Sequence, residues 1–132
     1  MARSATPFLM FQNGEAEEAM TFYVSLFANS RVVSLVRYGE TIPGPEGKVM
    51  LARFEVAGSA FYCSDSSVKH GFDFTPSLSV FIDCTSAEEL DAAFARLLEG
   101  GRALMPVGNY GFSQRFGWVQ DRFGVSWQLS LP

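Results

Sequence analysis

Two spacings alternate along the chain. Apolar residues recur every second position in short runs and every third or fourth in two longer ones, which predicts strands broken by two amphipathic helices. Thr6–Phe11 reads as a strand. Asn13-Gly14 then turns the chain into a helix over Glu15–Phe27, whose buried stripe is Ala16, Ala19, Met20, Tyr23 and Phe27. Glu15, Glu17 and Glu18 sit in its first turn, where negative charge suits the helix dipole. Arg31–Tyr38 is a β-branched strand and Gly39–Gly47 a loop. Lys48–Val56 and Ser59–Ser64 are strands joined through Gly58. Asp65–Pro76 is polar and irregular, as a linker is.

The pattern then restarts. Ser77–Asp83 is a strand. Ser86-Ala-Glu-Glu89 is a capping box opening a helix whose buried face reads as Leu90, Ala93, Phe94, Leu97 and Leu98 and which stops at Gly100-Gly101. Arg102–Met105 is a short strand and Pro106–Gln114 a loop, read either as a flap over a site or as a surface crossover. Arg115–Gln120 and Val125–Leu131 are the last strands. A shift of 71 residues lays Ala16-Glu-Glu18 on Ala87-Glu-Glu89 and Phe8 on Ser79. A shift of 66 lays Gly58–Ser64 on Gly124–Ser130. The expected fold class is therefore α+β: two β-α-β-β-β modules, about 6–64 and 77–131 within one domain. Their mixed sheet curves around a concavity, with the helices outside.

Composition narrows the class. Of 132 residues, 48% are apolar and 18% charged, so the chain can bury a core and is not a disordered segment. The net charge is −4 and no basic run occurs, which argues against nucleic acid as a partner. No signal core or membrane-length apolar run is present, so a cytoplasmic protein with no membrane partner is expected. Cys63 and Cys84 form no CxxC pair and read as reduced, inert thiols. His70, the single histidine, lies in the linker and reads as solvated. No nucleophile–base pair is visible, and no Gly-rich strand-to-helix turn of the kind that holds a nucleotide or a methyl donor.

Alternation assigns one face of the strands to the concavity. Phe8, Met10, Tyr62, Ser64, Ser79, Phe81, Phe116, Trp118, Ser126 and Gln128 point there, an aromatic wall with a few hydroxyls and an amide, which is the composition of a small-molecule pocket. The alternative is that these side chains pack on one another or on a partner. Trp127 and Phe61 face the helices. Val49, Leu51, Arg53 and Glu55 share a face opposite Met50, Ala52, Phe54 and Val56. Arg53 either holds a ligand carboxylate or phosphate, or pairs across the surface with a residue such as Glu55.

Thr6-Pro-Phe-Leu-Met-Phe11, Ala16-Glu-Glu-Ala-Met-Thr-Phe-Tyr23, Arg37-Tyr-Gly39, Met105-Pro106 and Arg115–Gln128 together resemble the PhnB-like branch of the vicinal oxygen chelate superfamily. That superfamily includes glyoxalase I, bleomycin-resistance proteins and extradiol dioxygenases. Members of the branch often carry the automatic name 3-demethylubiquinone-9 3-methyltransferase-like domain. The resemblance implies a concave sheet cupping a small-molecule site, and a homodimer. Metal-using members place one ligand on the first and last strand of each module. Counting from the helix and Gly-turn landmarks carries those positions onto Phe8, Tyr62, Ser79 and Gln128. Only Gln128 offers a usable donor, so no metal and no cofactor are expected. The expectation is a metal-free small-molecule-binding domain. The alternative is an enzyme of the superfamily (lyase, isomerase or transferase type) with a metal-free or weakly metal-dependent pocket.

Overall fold

The structure, a computed structural model, describes Met1–Pro132. Residues Met1–Gly71 and Phe72–Pro132 form two compact units. The first contains β1 (Phe8–Phe11), α1 (Ala16–Val24), β2 (Arg31–Arg37), β3 (Val49–Val56) and β4 (Ser59–Asp65). The second contains β5 (Ser79–Asp83), α2 (Ala87–Leu98), β6 (Arg102–Gly108), β7 (Arg115–Gln120) and β8 (Ser126–Leu131). Each unit thus has the expected β-α-β-β-β order.

Each sheet is four-stranded and mixed. The first runs β1-β4-β3-β2 and the second β5-β8-β7-β6, so the opening strand of each unit pairs with its last. That pairing is parallel; the others are antiparallel. The helix between the first two strands is the crossover that a parallel pair requires. It packs on one sheet face: α1 against β2, β3 and β4, and α2 against β6, β7 and β8.

Under α1 lie Tyr23, Met20, Ala52, Phe54, Phe61 and Cys63; under α2 lie Leu90, Phe94, Leu97, Val119, Trp127 and Leu129, all buried. The helices ride close to their sheets. A Cβ at Gly117 would come within 2.7 Å of the Phe94 ring, which is why β7 carries no side chain there.

Several boundaries differ from those read in the sequence. β1 begins at Phe8 rather than Thr6, and β5 at Ser79 rather than Ser77. α1 ends at Val24, although Phe27 still packs in the core at 7% exposure. β6 runs on through Pro106 to Gly108, so the loop is shorter than Pro106–Gln114. The alternation in β3 also breaks. A register shift near its start, where Val36 pairs with Leu51 but Arg37 with Val49, buries Val49 completely and leaves Met50 half-exposed. A bulge of this kind reverses side-chain direction, so simple parity fails across it.

The largest difference is at Asp65. It belongs to β4, not to a linker, and its side chain ties three elements together. Oδ1 accepts from the Ala16 N–H at the start of α1, and Oδ2 accepts from the Val49 N–H at the start of β3, each at 2.9 Å. The Tyr38 hydroxyl donates to the Asp65 carbonyl at 2.8 Å. No side chain caps α1 locally, so this remote carboxylate supplies an acceptor for an otherwise orphaned helix N–H. α2 is capped from within: Ser86 Oγ accepts from the Glu89 N–H at 3.1 Å, and Glu89 accepts from the Thr85 N–H at 2.9 Å.

Candidate functional site

The helix covers one face of each sheet, and the sequence-predicted site residues stand on the other. In the first unit Phe8 is paired with Tyr62 and Met10 with Ser64 across β1 and β4. Arg53 on β3 is the cross-strand partner of Tyr62. Its Nη1 reaches the Tyr62 hydroxyl at 3.4 Å, and its guanidinium carbon lies 5.6 Å from the centre of that ring. The Phe8 and Tyr62 rings are 6.3 Å apart. Glu55, two residues along, does not pair with Arg53; it is held by Arg31 at 3.2 Å.

In the second unit Gln128 is flanked by Phe81 on β5 and Trp118 on β7. Ser126 pairs with Ser79. The Trp118 indole N–H donates to Ser126 Oγ at 2.8 Å, and Ser126 and Ser79 share a hydrogen bond of 2.6 Å. This chain fixes the Trp118 ring and leaves Ser126 only 1% exposed. Phe116 is also covered, at 4% exposure, by the rings of Phe112 and Tyr110 at 4.8 and 6.2 Å. Alternation predicted the faces of Phe116 and Ser126 but not these covers, so neither presents an open wall. Gln128 is half-exposed and its amide makes no hydrogen bond within the chain. Among the predicted site residues Phe8 and Phe81 are the open aromatics, each 53% exposed, while Phe112 over Phe116 is open at 63%.

Strand register changes one assignment. Tyr62 and Gln128 are equivalent by the 66-residue shift. Tyr62 faces Phe8, and Gln128 faces Phe81, not Ser79. The count from the helix fails because the second unit has a tighter connection. From Met10 to Ala16 is six positions, and from the equivalent Asp83 to Ala87 is four. The four strand positions are therefore held by Phe8, Tyr62, Phe81 and Gln128. Two phenyl rings, a phenol and a neutral amide do not fit a divalent metal, which takes three or four N, S or O donors.

The two thiols do not fit nucleophilic chemistry. Both are buried and free. Burial, with Asp65 close by, pushes Cys63 up to about 12. Burial, with Glu89 and Asp83 close by, pushes Cys84 up to about 11. At neutral pH both are protonated and poor nucleophiles. His70 is exposed in the segment after β4.

Sequence reasoning missed a second structural carboxylate. Asp121, in the turn between β7 and β8, is 4% exposed. Its Oδ1 accepts from the N–H groups of Phe123 and Val125 at 2.8 and 3.0 Å, and its Oδ2 from the Trp127 indole at 2.9 Å. Asp-x-x-Gly before a strand was the available signal, since Asp readily bonds the backbone two residues on and Gly124 takes φ 96°. A surface depression of about 330 Å³ lies beside this turn and Gly100-Gly101, away from the predicted site residues of its own sheet.

Two β-α-β-β-β units, each with a helix-free sheet face that carries these residues, define a fold shared with a glyoxylase/bleomycin resistance protein/dioxygenase domain from Frankia at TM-score 0.66 and 14% identity, over 99% of this chain and 98% of that one. The family model described as 3-demethylubiquinone-9 3-methyltransferase matches residues 3–130, and the chain belongs to that PhnB-like family. A PhnB protein from Bacillus cereus is similar at 51% identity and TM-score 0.93, covering 98% of this chain and 100% of that one. The protein PA1353 from Pseudomonas aeruginosa is similar at 28% identity and TM-score 0.84, with 98% of both chains covered. A fosfomycin resistance protein from Listeria monocytogenes, solved with Mn(II), shares the fold at 13% identity and TM-score 0.66, over 100% of this chain and 94% of that one. A search of curated proteins finds no match. No helix is long and apolar enough to cross a membrane.

Proposed function

We propose that this PhnB-like domain binds a small, partly aromatic or apolar molecule without a resident metal or cofactor, at the helix-free faces of its sheets. It acts as a cytoplasmic homodimer that sequesters or senses its ligand. The walls are Phe8, Met10 and Tyr62 in the first unit and Ser79, Phe81 and Trp118 in the second, with Phe116 and Ser126 beneath as support. Arg53 and Gln128 are the polar anchors.

One observation carries this reading. Phe8 and Phe81 stand at equivalent strand positions, each 53% exposed, and each lies beside a residue with hydrogen-bonding capacity left over. A single exposed phenyl ring needs no explanation. The same exposure twice, next to an unpaired amide in one unit and a guanidinium in the other, matches the apolar wall and sparse polar anchors of a ligand site. Methyl transfer is not part of the reading, because neither sheet has the parallel strand–Gly-rich turn–helix arrangement that such a donor uses.

The test is a thermal-shift screen of small aromatic molecules on the full chain. A compound at 100 times its dissociation constant adds about 2.7 kcal/mol of apparent stability. Phe81→Ala should leave the melt of the free protein within about 0.5 kcal/mol, as surface substitutions do, and remove the ligand shift. If no compound shifts the melt, the binding reading is wrong. A stoichiometric transition metal in protein purified without chelator would overturn the metal-free part.

A further inference from the structure

We infer that the open face of the first sheet recognises a carboxylate through Arg53 and the Tyr62 hydroxyl, and that the ligand class is therefore a small aromatic or apolar carboxylic acid in its ionised form. The inference rests on the binding reading above and adds the chemical class.

It starts from which hydrogen-bonding groups are taken. Arg53 forms no ion pair with another side chain. The acid on the same face of β3, Glu55, is engaged elsewhere: it is held by Arg31 at 3.2 Å. A guanidinium has five N–H donors and no acceptor, and Arg53 directs one of them to the Tyr62 hydroxyl. That bond occupies an oxygen lone pair and leaves the Tyr62 hydrogen without an acceptor in the chain. Arg53 can only donate, and the Tyr62 hydroxyl has its hydrogen to direct outward. The hydroxyl of Ser34, cross-strand from Arg53 on β2, makes no bond either and can donate as well as accept.

An acceptor-only group satisfies such a set, and the planar fork of Arg matches the two oxygens of a carboxylate. The Phe8 ring, 6.3 Å from that of Tyr62 and 53% exposed, offers the flat apolar surface beside it. The chain carries a net charge of −4, so its overall field repels anions, and any preference for one must be local.

The experiment compares naphthoate with its neutral isostere naphthamide by ligand-observed NMR titration of the full chain. Naphthoate should bind about tenfold tighter, in line with a charge-assisted bidentate contact. Arg53→Met should abolish the preference for naphthoate over naphthamide. Arg53→Lys, which keeps the charge but loses the fork, should retain part of it. Tyr62→Phe should weaken naphthoate alone. Arg102→Ala, removing a cation whose Nε is held by Gln120, should change nothing. Circular dichroism confirms that each variant folds, and Arg53→Lys serves if Arg53→Met does not. Equal affinity of the two probes for the parent chain overturns the carboxylate assignment and leaves the aromatic face standing. A preference that survives Arg53→Met, or tighter binding of naphthyl phosphate than of naphthoate, also overturns it. If neither probe binds and the screen is empty, the inference fails together with the binding reading.

Discussion

The two units of this chain share a backbone plan and differ in what they place on it. Cross-strand register aligns them residue by residue. Ala52 corresponds to Gly117, both small beneath the helix; Arg53 corresponds to Trp118; and Tyr62 corresponds to Gln128. On the open face, the first unit thus sets a guanidinium against a phenol where the second sets an indole beside an amide. The difference extends to how each polar group is held. Trp118 is locked onto Ser126 at 2.8 Å, and Ser126 in turn onto Ser79 at 2.6 Å, whereas the contact from Arg53 to Tyr62 is long, at 3.4 Å. One face is a fixed platform with a single free amide. The other keeps its donors available. A duplicated fold can so divide apolar contact and charge recognition between its copies without changing the strands that carry them.

The buried carboxylates differ in the same manner, and removing them separates the units. Asp121 is local: it accepts three hydrogen bonds from its own turn and from Trp127. Asp121→Ala should be the most damaging of the changes considered, about 4 kcal/mol, since each hydrogen bond to a charged acceptor contributes about 1.5–3 kcal/mol and the donors left behind are buried. Urea unfolding measures the loss, and hydrogen exchange should place it in β7 and β8. Asp65 is remote and accepts two such bonds, so Asp65→Ala should cost about 3 kcal/mol, with exchange rising at Ala16 and Val49. Its counterpart as a helix cap is Ser86, where Ser86→Ala should cost about 1 kcal/mol. If Asp65→Ala and Ser86→Ala prove equal, the contrast between a remote and a local cap is wrong.

These carboxylates also mark where the sequence stops being legible. The element order, both helix faces and the repeat follow from local periodicity, as the capping box at Ser86–Glu89 and the paired glycines at 100–101 illustrate. Asp65 is not local. Its partners are 49 and 16 residues away, and no spacing rule connects a residue after Cys63 and Ser64 to a helix start at Ala16. Alternation assigned Phe116 and Ser126 to the correct face of β7 and β8 but is blind to cover, which arrives from Tyr110 and Phe112 on a loop and from Trp118 on a neighbouring strand. The position equivalent to Phe8 was placed at Ser79 rather than Phe81 because a fixed repeat length assumes equal connections, and the turn into α2 is two residues shorter. Pairing partners, not counts, locate equivalent positions on a sheet.

The smallest expected effect concerns the ion pair that each unit places between helix and sheet. In the second unit Asp91 on α2 holds Arg115 on β7 at 2.7 and 3.0 Å. In the first, Glu17 on α1 holds Arg37 on β2 through two bonds of 2.8 Å, and Arg37 also donates to the Gly47 carbonyl. The Arg37 hydrogen bond pulls the Glu17 carboxyl below its usual value of 4.5, against the opposing effect of partial burial. A carboxyl whose folded pKa is depressed contributes stability above its unfolded pKa and loses it as pH falls through the folded value. Glu17→Gln should therefore be less stable than the parent chain at pH 7, and the two should converge as pH drops below 4.5. The pair is about half-exposed, at 49% and 45% for the two side chains, so water and salt screen it and the effect should be slight. Urea midpoints of the two proteins across this pH range, at low and high salt, give the test. A difference that persists unchanged at low pH, where Glu17 is protonated, would mean that the substitution acts through packing on α1 and not through charge.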